Sequence, residues 1–196
     1  HGTELMPKLM GFLKVKEVVQ SGKLGSIILI KISWHSFGRR WDWQTLRKFG
    51  GGELSNNGPH AIDQALQLFG EKKPKVFCHL QRTLTLGDAE DHVKIILSAR
   101  GSPMIDIEIT HACAYPQSTW LVMGTLGGLT GSASSLKWKY FEPHDLRQRQ
   151  VDVNPTPDRS YNWEQILWKE EMWQIGDNYK SGEFAFYDKL YQTMRH

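Results

Sequence analysis

Two runs of strict alternation, joined by a turn, limit what this chain can become more than any other feature. Val93, Ile95 and Leu97 alternate with His92, Lys94 and Ser98, and Ile105, Ile107 and Ile109 alternate with Asp106, Glu108 and Thr110. Successive side chains on a strand point to opposite faces, so each run is apolar on one side and polar on the other. Arg100-Gly101-Ser102-Pro103 between them is turn chemistry. The pair reads as an antiparallel hairpin with one face to bury. That face needs a cover, and the rest of the chain has to supply it.

Residues 7–20 carry a helical stripe of Leu9, Phe12, Leu13, Val15 and Val18, closed by Gly22 and Gly25. Residues 27–34 switch to a period of two, with Ile28, Ile30, Ile32 and Trp34 on one face. Residues 36–52 have no period and read as a loop rich in Trp, Arg and Gly. Residues 57–69 form the clearest helix. Ala61, Ile62, Ala65, Leu66, Leu68 and Phe69 cover one side, and His60, Asp63, Gln64 and Gln67 the other. Asn57 suits the N-cap, Pro59 the first turn and Gly70 the end. Further strands are expected at 75–81, 119–124, 128–131 and 134–141, with a long loop over 142–162. Residues 161–174 are ambiguous between strand and helix, and 182–194 read as helix. Helices at both ends of a run of strands give an α+β class: an open, mostly antiparallel sheet with helices on one face. Residues 1–196 read as a single domain.

Composition excludes several functions. At 40% hydrophobic and 23% charged residues, the 196-residue chain is globular rather than disordered. Its net charge of +3 comes from scattered singles and pairs such as Arg39-Arg40 and Lys72-Lys73. Nucleic-acid binding needs a basic stripe, so no nucleic-acid partner is expected. No apolar run reaches membrane-spanning length and no signal-peptide pattern opens the chain, which points to the cytoplasm and no membrane contact. Cys78 and Cys113 read as buried free thiols of a reducing compartment. His35, His92 and His111 fall into no metal-ligand spacing with Asp63 or Asp106, so no metal is expected. The chain starts at His1 without a Met and stops at His196 inside a helical pattern, which reads as a fragment.

The candidate chemistry sits in residues 50–63, GGGELSNNGPHAID. A glycine run permits tight turns or close approach of a ligand. It leads into a helix whose first turn carries His60. The partial positive charge of a helix start favours neutral imidazole over imidazolium. A neutral histidine beside Asn56 and Asn57 can take a proton from a hydroxyl while the amides hold neighbouring hydroxyls. The same residues are equally readable as an exposed helical histidine with capping asparagines. Trp34, Phe37, Trp41 and Trp43 offer aromatic faces for a sugar-sized pocket, or simple loop anchors.

Gly50-Gly51-Gly52, Gly58, His60 and Asp63 stand in the register of a signature of the Gfo/Idh/MocA oxidoreductases, and the segment resembles that family's C-terminal domain. The likeness continues into residues 12–26 and into WLVMGTLGGLTG at 120–131, and covers nearly the whole chain. It implies a domain that closes over the nicotinamide of NAD or NADP and also pairs subunits, giving a homo-oligomer through the open sheet face. It implies His60 as the catalytic acid/base on a sugar, polyol or related secondary alcohol or ketone. Asn56, Asn57, Asp63, Arg40 and Trp41 would then be substrate-binding. The family aspartate falls at Asn56, which can position a hydroxyl but cannot relay a proton. No strand here leads into G-x-G-x-x-G, so the nucleotide-binding half is missing and no cofactor-binding residue is assigned. The chain alone is expected to be inactive. The alternatives are a non-catalytic binding or assembly domain of the same fold, and a metal-dependent lyase or isomerase.

Overall fold

A computed structural model of the chain describes residues 2–176, with side chains from Lys8 onward. Its centre is an eight-stranded sheet, flanked on one side by two long helices. In chain order the elements are α1 (Gly2–Gln20), β1 (Ile27–His35), a single helical turn α2 (Glu53–Asn56), α3 (Gly58–Phe69), β2 (Lys75–Gln81), β3 (His92–Ser98) and β4 (Met104–Thr110). Then follow β5 (Trp120–Gly124), β6 (Gly127–Gly131), β7 (Ser135–Tyr140) and β8 (Lys169–Gln174). The spatial order is β2-β3-β4-β1-β5-β6-β7-β8. Every pairing is antiparallel except β1 with β4. The α+β class with an open, mostly antiparallel sheet is the observed architecture.

The alternating hairpin is β3–β4, and its register places Val93 opposite Ile109, Ile95 opposite Ile107 and Leu97 opposite Ile105. All six are buried, beneath Ala61, Ala65 and Phe69 of α3. On the other half of the sheet, Phe12, Val15 and Val18 of α1 join Trp120, Leu129, Leu136 and Trp138, with the Phe12 and Trp120 rings stacked at 6.2 Å. Burying such side chains contributes about 1.5–3 kcal/mol each. The hydrophobic effect therefore fixes which face carries the helices.

Several expectations need correcting. Ile28 is 58% exposed although Ile30 and Ile32 are fully buried. The pairing of β1 with β5 slips between Ile27 and Leu29, and a bulge there turns the strand start out of the core. Leu66 is exposed and Gln64 buried, the reverse of the face assignment on α3. Asn57 occupies the cap position, but its backbone is already helical and its side chain makes no cap bond. Cys78 is a free thiol but an exposed one, because β2 is an edge strand that α3 does not cover; Cys113 is free and half-buried. The ambiguous stretch 161–174 is irregular up to Trp168 and a strand from Lys169. The helix expected over 182–194 lies outside the described residues.

The sheet face without helices carries charge. Lys94 bridges Asp106 at 2.6 Å and Glu108 at 2.7 Å, and His35 Nε2 lies 3.2 Å from Glu108. Burial pushes the Glu108 carboxyl up, but the bond and charge of Lys94, with the charges of His35 and Lys31, together outweigh it and hold the group below the ordinary range. Farther along, Gly127 and Gly128 leave a hollow of about 560 Å³ beside Met123, Lys137 and Lys139. Among the described residues, no helix is long and apolar enough to cross a membrane.

Candidate functional site

The glycine triplet is consumed by the fold. The amide of Gly50 donates to the Arg47 carbonyl (2.9 Å), that of Gly51 to Leu46 (3.1 Å) and that of Gly52 to Gln44 (3.0 Å). Gly51 packs so closely on the Gln44 carbonyl that no side chain fits there. Gly52 has φ of 118°, and a Cβ on it would strike the Glu90 carboxylate. These glycines let the loop of residues 42–49 lie flat against the start of α2. None of their amides is left to hold an anion.

Glu53, the next residue, is 3% exposed and was not singled out from sequence. A buried carboxylate must be paired, and this one is paired three ways. His111 Nε2 donates to Oε1 at 2.9 Å, Arg40 Nη1 reaches the same oxygen at 3.3 Å, and Asn57 Nδ2 donates to Oε2. Burial raises the Glu53 carboxyl, but the bonds from His111 and Asn57 and the nearby charge outweigh it, leaving the group below its ordinary range. Arg40 is further held by Asp42, through two bonds of 2.9 and 2.8 Å, and by Gln44 at 2.7 Å.

His111 Nδ1 bonds the Ser36 hydroxyl at 2.7 Å, so serine, histidine and glutamate stand in series. A nucleophile needs space for its substrate and free amides for the oxyanion. Here the Gly38 amide is already bonded to the His111 carbonyl, Ser36 is exposed on the surface, and the cavity beside His111 and Glu53, which Ser36 does not line, is about 10 Å³. That admits one water at most. The cluster ties loops together.

A second loop locks against the same turn. Asp91 accepts from the amides of Thr83 (2.5 Å), Leu84 (2.8 Å) and Thr85 (2.7 Å). Burial pushes this carboxyl up, yet the three amides hold it below the ordinary range. From that loop Glu90 accepts the Leu54 amide at 3.1 Å, and its carbonyl accepts the Glu53 amide. The position of α2, and hence of the start of α3, is thereby fixed.

His60 stands on the other side of α3, exposed, and lines a groove of about 250 Å³ between α1 and α3. Asp63, Gln64 and Gln67 continue its stripe along α3, Lys8 and Leu9 face them from α1, and Trp34 of β1 completes the lining. Asp63 accepts from Gln67 Nε2 at 3.0 Å, and Gln67 Oε1 accepts from Lys16 at 2.9 Å. The Lys8 ammonium lies 4.2 Å from the centre of the Trp34 ring.

The structure therefore brings together His60, Asp63 and Trp34 among the residues expected from sequence, and adds Gln64, Gln67, Lys8, Leu9 and Phe12. Arg40 and Asn57 belong to the Glu53 cluster. Asn56 is half-buried with its Nδ2 unpartnered, and Trp41 is 76% exposed on its loop. Among the described residues, no group of three His, Cys, Asp or Glu side chains is placed to hold a metal ion.

Comparison with known proteins agrees with this geometry. The family described as GFO/IDH/MocA C-terminal domain matches residues 12–130, which includes His60, Asp63 and Trp34 of the groove and runs from within α1 into β6. Glucose-fructose oxidoreductase domain-containing protein 1 of Mus musculus is 29% identical over 89 residues, covering 44% of this chain and 22% of that protein. An uncharacterized oxidoreductase of Schizosaccharomyces pombe is 27% identical over 125 residues, covering 59% and 34%. The chain thus spans between 22% and 34% of the length of these curated relatives. Among solved structures, an NAD-binding protein from Listeria innocua superposes with a TM-score of 0.67 at 19% identity, over 94% of this chain and 55% of that one. The transcriptional regulator Gal80p of Kluyveromyces lactis superposes with a TM-score of 0.63 at 16% identity, over 94% and 49%. These two likenesses establish the fold alone. With more than half its length matched by the family and the signature histidine lining a groove, the chain belongs to the GFO/IDH/MocA C-terminal domain family.

Proposed function

We propose that this chain is the substrate-binding domain of an NAD- or NADP-dependent oxidoreductase acting on a secondary alcohol or ketone of a sugar-like molecule. One observation carries the reading. His60 lines a groove of about 250 Å³ with Asp63, Gln64 and Gln67, while the polar groups around the glycine triplet are spent on one another. Pockets for drug-sized ligands run to about 300–1,000 Å³, so this groove suits a single sugar ring. His60 takes the proton of the reacting hydroxyl during oxidation and returns it during reduction. Asp63 accepts from a neighbouring hydroxyl, while Asn56, whose side-chain nitrogen is buried outside the groove lining, acts from the turn that precedes α3. Arg40 and Asn57 act from behind by fixing the loop that carries Trp41.

The dinucleotide does not fit the residues of this chain. Its pyrophosphate requires free backbone amides at a strand-to-helix turn. The amides of the glycine triplet are all bonded, and no such turn occurs among the described residues. In this reading the nucleotide is held outside the chain, which alone is inactive. The free thiols of Cys78 and Cys113 support a cytoplasmic setting. The open sheet face, with its hollow beside Met123 and its charges from Lys94 to Glu108, is the surface proposed for pairing with a second copy. Sedimentation over a concentration series reads this directly, and a strictly monomeric species at high concentration contradicts it.

The test of the function is kinetic. In the intact protein, His60→Ala lowers turnover by about 10²–10⁴ with a normal melt, while Asn56→Ala raises KM with kcat little changed. A normal kcat in His60→Ala removes the catalytic assignment. It would favour the second reading, a non-catalytic binding domain, which the amide of Asn56 in place of the family carboxylate already supports.

A further inference from the structure

The two edges of the sheet are guarded differently. The edge strand β8 carries Lys169, Glu170 and Glu171. Charges on an edge discourage a further strand from joining it. The opposite edge, β2, reads Lys-Val-Phe-Cys-His-Leu-Gln, and all of its residues are exposed. It pairs with β3 without a bulge, contains no proline, and keeps its one cation at its first position. Its outer side therefore offers a regular row of backbone donors and acceptors.

The side chains of β2 continue the core past its cover. Val76, Cys78 and Leu80 stand opposite Leu97, Ile95 and Val93, and so share their face. The three residues of β3 are buried, whereas Val76 is 62% exposed, Leu80 44%, and Cys78 is exposed as well. Phe77, on the other face opposite Ile96, is 58% exposed. An apolar row that runs off the edge of a sheet is completed by another strand carrying a similar row.

This strand is its own complement. Cys78 is the middle residue of β2. An antiparallel two-fold centred there sets Val76 against Leu80, Phe77 against His79 and Lys75 against Gln81, each pair twice, with Cys78 facing its own copy. No like charges meet. Parallel pairing in register opposes Lys75 to Lys75. Centring the antiparallel pair on Phe77 leaves Leu80 against Pro74, and centring it on His79 leaves Val76 against Arg82. A slip of one residue sets the two helix layers on opposite faces of the joined sheet and parts Val76 from Leu80.

We infer that two copies of this chain join edge to edge through β2, in the antiparallel register centred on Cys78, so that one sheet runs through both. The pairing is isologous and closes on itself. It uses a different surface from the open face assigned above to self-pairing, and it does not depend on the His60 groove.

Disulfide trapping tests the register. Residues directly opposite in antiparallel strands have Cα atoms about 4.5–5.5 Å apart, within the span of about 4.4–6.8 Å that a disulfide bridges. Diamide takes two electrons and two protons from a pair of thiols and serves as a distance probe; the proposed pairing itself involves no disulfide. Cys113→Ser leaves Cys78 as the single cysteine of the chain. With diamide this variant should form a covalent dimer, which urea added before the oxidant suppresses. Leu80→Lys in the same background, with an unchanged melt, should lower the yield about tenfold, because the two-fold repeats the lost contact. Phe77→Lys reads the other face of the same register and should act in the same direction. A Cys113→Ser chain that stays monomeric under diamide overturns the inference. So does a yield that both lysine variants leave unaltered, since the thiols then meet by collision. Sedimentation without oxidant separates the two surfaces. Association that Leu80→Lys abolishes supports the β2 edge, whereas association that persists in Leu80→Lys without any trapping belongs to the open face and overturns this one.

Discussion

Glu53 and His60 lie on the same short segment, yet their surroundings differ in the respect that decides what a polar group is for. Around Glu53 the polar atoms are closed on one another: His111, Arg40 and Asn57 surround one carboxylate, with Asp42 and Gln44 behind them. The space left is about 10 Å³. Around His60 the space is about 250 Å³, and Gln64 and Trp34 end in unpaired atoms. A satisfied cluster stabilises and positions. An unsatisfied one costs stability, and proteins retain such costs where a ligand recovers them. Substitutions on the two sides should therefore move stability and binding in opposite proportions.

The largest effect is expected at Glu53. Glu53→Leu removes one partner of a buried ionic cluster and strands Arg40, His111 and Asn57, which should cost about 3–5 kcal/mol of unfolding free energy in urea. A cost below about 1 kcal/mol would mean that the cluster is wetter than its geometry shows, and the contrast with the groove would weaken.

Neighbouring asparagines give a sharper version. Asn57→Ala loses a hydrogen bond to a carboxylate, a contribution of about 1.5–3 kcal/mol. Asn56→Ala deletes an amide whose nitrogen has no partner, and should leave stability within about 0.5 kcal/mol. Thermal melts of the two single variants decide the matter. Equal losses would place both residues in one network.

Acid is a weaker lever on the same cluster. Glu53 titrates below its ordinary value of 4.5 in the folded chain, so its contribution is complete above that pH and disappears as pH falls through the lower folded value. Glu53→Gln abolishes the titration. The variant should be less stable than the parent at neutral pH, and the gap should narrow as pH drops below about 4.5. A gap that widens on acidification would show the sign to be wrong. Asp91, depressed in the same way by backbone amides, keeps an acid limb in both proteins.

The hairpin β3–β4 was legible because one face of it meets solvent and the other the core, so alternation alone reveals both. The histidine of the groove was legible through its register with the glycine triplet. Glu53 was not. A glutamate after three glycines reads as a surface acid, and what buries it, His111 and Arg40, comes from other elements of the chain. Gln64 was assigned to the polar side of α3, which is true of its angle and false of its exposure. Helical period gives the direction of a side chain but not the position of α1, whose Lys8, Leu9 and Phe12 roof that direction over. Trp34 was placed on the inner face of β1 correctly, but nothing local shows that its indole nitrogen lacks a partner.

The smallest predicted change in stability is also the one most specific to the comparison. Methionine matches glutamine in length and lacks polar hydrogen-bonding groups of comparable strength, so Gln64→Met fills the same space without burying an unpaired amide. Removing an unsatisfied polar atom from a buried position costs nothing in hydrogen bonds, because none is broken. The desolvation of the amide, about 1–3 kcal/mol when uncompensated, is no longer opposed to folding. Against this stand small repacking losses beside Ala61 and Phe12, of the order of a volume-conserving swap, under about 1.5 kcal/mol. The two nearly cancel, and unfolding free energy should stay within about 0.5 kcal/mol of the parent or rise. The mirror substitution in the closed cluster, Gln44→Met, breaks the bond to Arg40 and should lose about 1.5–3 kcal/mol. Urea unfolding of this pair compares the same chemical change in the two settings. If Gln64→Met loses as much as Gln44→Met, Gln64 has a partner in solution, and its surroundings are another satisfied cluster like that of Glu53.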